Sequence, residues 1–147
     1  MSFERGLQGE GLTAIHWVGI LLTAMTGLVH LALGLMTLPT VLGFASVGAF
    51  GGFGFAIVLV LWGVRPWWLY VLGLPFVGTQ ILLWYLLNEP QTVSDISALA
   101  AVDKTVQLAL LVVLTVLAIR TRQGAYETAR RTSEREREET LTNRGEP

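Results

Sequence analysis

Apolar residues fill four long stretches of the chain, and each stretch is closed by a short polar or proline-bearing break. The first, 11–36 (GLTAIHWVGILLTAMTGLVHLALGLM), holds no carboxylate, lysine or arginine. It exceeds the roughly 20 apolar residues that a bilayer-crossing helix needs. Pro39 marks the turn that follows. The second stretch, 41–64, is rich in glycine and phenylalanine and ends at Arg65-Pro66. The third, 67–87, contains Pro75 and a lone amide, Gln80, and stops at Asn88-Glu89-Pro90. The fourth apolar run, Thr105 to Ile119, is only fifteen residues, too short to span alone. Its helix must therefore start near Ile96, which carries Asp103 and Lys104 into the membrane. Thr92-Val93-Ser94-Asp95 reads as the capping box that launches it. Beyond Thr121 the apolar pattern ends, and six arginines interleave with six glutamates. Such a segment is predicted to be solvated.

The expected architecture is an all-α, four-transmembrane-helix bundle with a charged, solvated C-terminal tail. An N-terminal cytoplasmic segment occupies 1–10, the membrane domain 11–120 and the tail 121–147. The spans are placed at 11–36, 41–64, 67–87 and 96–119.

Spacing within the spans predicts which faces turn inward. His16 and His30 are fourteen residues apart, so at about 100° per residue they share one side of the first helix. Gly19, Thr23, Gly27 and Gly34 fall in the same wedge. A small, weakly polar edge of this kind faces protein rather than lipid. In the second span Gly48, Gly52 and Ala56 recur every four residues, a ridge that lets another helix approach closely.

Composition agrees with a membrane protein: of 147 residues, 52% are hydrophobic and 14% charged, with mean hydropathy +0.57. A net charge of −1 gives no reason to expect a nucleic-acid partner. The absence of cysteine excludes disulfides, thiolate metal sites, iron–sulfur clusters and c-type haem. Met1 to Glu10 carries one arginine against two glutamates, and no small-residue cleavage site closes the first run, so a permanent span rather than a signal peptide is expected. Four spans place Arg5, Arg65, Arg120, Arg122 and the tail on one side, opposite Glu89 and Asp95. The positive-inside rule then predicts a multi-pass protein of the cell membrane with both termini cytoplasmic.

The candidate chemistry lies where polar groups share a depth. Counting along alternating helices sets His30, Gln80, Asp103 and Gln107 at one level, with Asp103 and Gln107 one turn apart on the same face. They are expected to form an interhelical cluster in which His30 partners Asp103, with Lys104 beside it and able to snorkel outward. The cluster either fixes helix register or handles a proton or small solute. A third reading takes His16 and His30 as ligands of haem b. With no histidine on the other spans, that reading needs the same helix from a second subunit. No nucleophile motif, phosphate loop or dicarboxylate pair points to an enzyme. Gly51-Gly52-Phe53-Gly54 has no preceding strand and reads as packing.

His16-Trp17-Val18-Gly19-Ile20, Gly27-Leu28-Val29-His30, Gly51-Gly52 and Asp103-Lys104-Thr105-Val106-Gln107 together resemble a group of small four-helix membrane proteins of unknown function from halophilic archaea. The resemblance covers residues 11 to about 120. It implies a fold and a membrane location, and it brings no activity. An accessory or structural role is expected first, with association through small-residue faces into a homo-oligomer or larger membrane complex.

Overall fold

The computed structural model describes residues 11–145, so the expected N-terminal segment 1–10 lies outside the described residues. Four α-helices follow in series: α1 (Ala14–Thr37), α2 (Val41–Leu61), α3 (Trp67–Asn88) and α4 (Ala98–Arg144). All four are long and apolar enough to cross a membrane, and no strand occurs among the described residues. The protein is an all-α membrane protein of four membrane-length helices.

Each helix starts where the side chains allow. Thr13 and His16 close a capping box at the head of α1, the Thr13 hydroxyl meeting His16 Nδ1 at 2.7 Å. The Thr40 hydroxyl accepts the Gly43 N–H at 3.1 Å, and the Ser97 hydroxyl accepts the Ala100 N–H at 3.2 Å. Pro66 precedes α3, supplying the fixed φ that suits a helix entry. Inside α3 the helix continues through Pro75.

One expectation about the α3–α4 connection is corrected. The capping box at Thr92 and Asp95 forms, but it launches only a single 3₁₀ turn, Val93–Asp95. The Asp95 carboxylate accepts both the Thr92 N–H (2.8 Å) and the Gln91 N–H (3.0 Å), folding the loop back on itself. Ile96 is then extended, and Ser97 caps α4 two residues later than expected.

The glycine edge of α1 packs inward. A Cβ at Gly19 would lie 3.3 Å from Val113 of α4, and one at Gly27 would lie 3.3 Å from Phe53 of α2. At Gly34 the approach is tighter: a Cβ would meet Val47 Cγ2 at 2.7 Å and the Val47 backbone nitrogen at 3.0 Å. The opposite side of α1, including Leu21, Leu28 and Leu35, is exposed and greasy. Helix α1 thus packs along α2 and α4, and α3 packs along α4. Helices α2 and α3 share no comparable backbone contact and meet through side chains. Phe76 covers Gly52 and stands edge-on to Phe53 at 5.1 Å between centroids.

Ala49, Phe53, Val77 and Leu110 form one buried cluster, and Tyr70, Leu117 and Ala118 form a second. The 47 residues of α4 give a rod about 70 Å long, more than twice the hydrocarbon thickness of a bilayer. Its charged second half is exposed helix.

Candidate functional site

The polar residues of the bundle sort into two groups. The first is a closed lock between α1 and α4. Asp103 is 4% exposed and Thr26 and Gln107 are fully buried, so every polar atom they carry needs a protein partner. Thr26 donates its hydroxyl to Asp103 Oδ1 at 2.8 Å. Gln107 Nε2 donates to Asp103 Oδ2 and to the Thr26 oxygen, both at 3.1 Å. The Lys104 ammonium reaches Asp103 Oδ2 at 2.9 Å and donates to Gln107 Oε1 at 2.8 Å. It also stands 5.6 Å from the Trp84 ring centroid, a cation–π contact with α3. Carboxylate and ammonium cancel, and the charges sit within one continuous hydrogen-bonded unit.

One expectation changes here. His30 does not partner Asp103: its Nδ1 lies 2.8 Å from the Thr26 carbonyl oxygen, one turn back on α1. A carbonyl only accepts, so Nδ1 carries the proton and in the neutral ring Nε2 keeps its lone pair. Lys104, expected beside the cluster, bends into the lock through Asp103 and Gln107. Thr26 was absent from the sequence-derived cluster, although its hydroxyl joins the two helices.

The second group is open. A cavity of about 410 Å³ lies between the helices toward the Asn88 end, with His30, Gln80, Trp84, Asp103 and Lys104 in its wall. Gln80 does not bond to the lock. Both atoms of its side-chain amide are buried, and neither reaches a hydrogen-bond partner in the protein. Ala45, Ala49 and Gln80 line both this cavity and a neighbouring cleft between α2 and α3 that Gly48, Pro75 and Phe76 border.

At the other end of the bundle His16 lies beside Tyr70, with ring centroids 6.3 Å apart. Its Nδ1 accepts from the Thr13 N–H at 3.3 Å, so this imidazole serves the helix cap. The space around it, about 80 Å³, suits a few water molecules and is far below what a macrocycle needs. His30 in turn lies 5.6 Å from Phe53. Both rings stand close to aromatic side chains of this chain. The space beside His16 does not fit a haem as it stands.

The expected ridge on α2 divides. Gly52 is covered by Phe76 and Ala56 is half-buried, but a Cβ at Gly48 would meet nothing within 4 Å. Gly48 faces the α2–α3 cleft, not a packed helix. Among the described residues no three His, Asp or Glu side chains gather as a metal site. No protein-family model, no curated protein and no solved structure matches the chain.

Proposed function

We propose that this chain is a small accessory or structural protein of the cell membrane, held as one bundle by the charge-neutral Thr26–Asp103–Lys104–Gln107 lock. The observation that carries this reading is the saturation of Asp103. Its two oxygens accept from a hydroxyl, an amide and an ammonium, so the carboxylate is committed to joining α1 and α4. A carboxylate that shuttles protons needs a changing partner; Asp103 borders the cavity, but both its oxygens are held by Thr26, Gln107 and Lys104. Both termini are placed in the cytoplasm, since Arg65, Arg120 and Arg122 lie at one end and Glu89 and Asp95 at the other. Association with a second copy or a larger complex, and the likeness to the small four-helix proteins of halophilic archaea, belong to the same proposal.

The test compares stability with flux. In proteoliposomes the protein is expected to leave an imposed pH gradient intact, while Asp103→Asn lowers the thermal midpoint in detergent. Proton flux that requires Asp103 would overturn the reading in favour of proton handling. A second reading, the handling of a small solute, is favoured by one observation: the unpartnered Gln80 amide in the same cavity wall as His30. It moves the candidate residues from the lock to that wall. No observation favours the homodimeric b-type cytochrome, since the space of about 80 Å³ beside His16 is too small for a macrocycle.

A further inference from the structure

The geometry points to a binding site for a neutral, hydroxyl-bearing amphiphile, its head between His30 and Gln80 and its hydrocarbon chain leaving through the α2–α3 cleft past Gly48. The inference rests on the four helices being membrane spans and deepens the solute reading; it does not require the lock to have any role beyond structure.

Hydrogen-bonding capacity defines the head. Gln80 presents two N–H donors and a carbonyl acceptor that nothing in the protein satisfies, at buried positions where leaving them unmade is costly. His30 donates its Nδ1–H to the Thr26 carbonyl, so in the neutral ring its Nε2 is an acceptor. A hydroxyl is the smallest group that donates to an imidazole nitrogen or amide oxygen and accepts from an amide N–H at once.

Charge defines it further. The ionic groups in the wall are Asp103 and Lys104, and they neutralise each other at 2.9 Å. An anionic or cationic head would enter a low-dielectric space without an opposing charge, which disfavours it.

The chain is defined by the exit. The cavity and the cleft share Ala45, Ala49 and Gln80 as lining, so the polar head site and an apolar slot adjoin at these residues. Gly48 has open space where its side chain would be, and Pro75 and Phe76 supply the facing apolar wall. The absence of close α2–α3 backbone packing, unlike the other neighbouring pairs, leaves this slot open sideways toward lipid.

The experiment uses the full chain in phosphatidylcholine nanodiscs and a monoacylglycerol with a photoactivatable diazirine on its acyl chain. After illumination, mass spectrometry is expected to find the label on residues bordering the cleft, 45–52 and 75–79. Unlabelled monoolein should compete, whereas glycerol, oleate and oleylamine should compete weakly. Gln80→Leu should weaken half-maximal labelling by about tenfold, the loss of one to two hydrogen bonds. Gly48→Leu, whose new side chain starts in open space, should block the slot to a similar extent without unfolding the bundle, and it carries the test if Gln80→Leu fails to fold. Label spread over the lipid-facing surface, labelling indifferent to both variants, or competition by oleate equal to that by monoolein would overturn the site. A protein that inserts and keeps its lock yet shows any of these outcomes loses the site alone, not the membrane reading.

Discussion

Thr26 is where a single side chain matters most. Threonines in these helices usually turn their hydroxyl back to a carbonyl four residues earlier: Thr23 to Gly19 at 2.7 Å, Thr105 to Ala101 and Thr115 to Leu111 at 2.8 Å. Thr26 instead donates across to Asp103 and accepts from Gln107. Thr26→Val keeps the shape and removes both bonds, leaving an oxygen of the carboxylate short of a donor. It should lower stability by about 1–2 kcal/mol, read from thermal or denaturant unfolding in detergent, while Thr23→Val costs much less. This also explains what could be seen beforehand. Asp103 and Gln107 are legible because two polar residues four apart interrupt an apolar run. Thr26 is not, since nothing in the chain distinguishes a threonine bonded to its own helix from one bonded to the next. The same limit separates Gln80 from the lock: counting gives depth, but not the direction in which an amide points.

Helix boundaries were readable because Pro39, Arg65-Pro66 and Asn88-Glu89-Pro90 cannot continue a membrane helix. Which glycines are contacts was not, because that depends on the order of helices around the bundle, and an identical spacing serves a packed or an open face. Gly34 and Gly48 make the contrast testable. Gly34→Ala puts a methyl group against the Val47 side chain and backbone, where little can yield, and should part the α1–α2 hairpin and lower the thermal midpoint. Gly48→Ala meets open space and should be neutral or stabilising, up to about 1 kcal/mol from helix propensity. The α3–α4 turn carries its own pH dependence. The Thr92 N–H, then the Thr92 side chain and the Gln91 N–H, hold the Asp95 carboxyl below its ordinary value. Its contribution is complete above the ordinary carboxylate range and disappears as pH falls through the lowered value. Protection of the Gln91 and Thr92 amides, taken relative to their intrinsic exchange rates at each pH, should thus be present at neutral pH and lost in acid, and Asp95→Ala should remove it at every pH.

At the scale of the whole molecule the lack of native cysteine makes orientation directly measurable. With single cysteines introduced, Ser133→Cys should react with a membrane-impermeant maleimide only after the cytoplasmic face is opened, and Val93→Cys should react in intact cells. Labelling of both from one side would reverse or dismantle the four-span arrangement. The same construction separates what stabilises the bundle from what extends beyond it. Past Arg122, which lies 6.0 Å from the Trp67 ring, α4 is exposed as far as Thr140, and its Arg130–Glu134 pair at 2.8 Å is a surface ion pair worth little.

Helix α4 has no joint between water and the centre of the membrane. One backbone carries the Asp103 carboxylate and the charged rod outside, and Gly124 is the single weak link on the way. A torque applied to the outer half turns Asp103 and Gln107 away from Thr26 unless Gly124 yields first, so the stiffness of that one residue decides whether a grip on the exterior is felt inside.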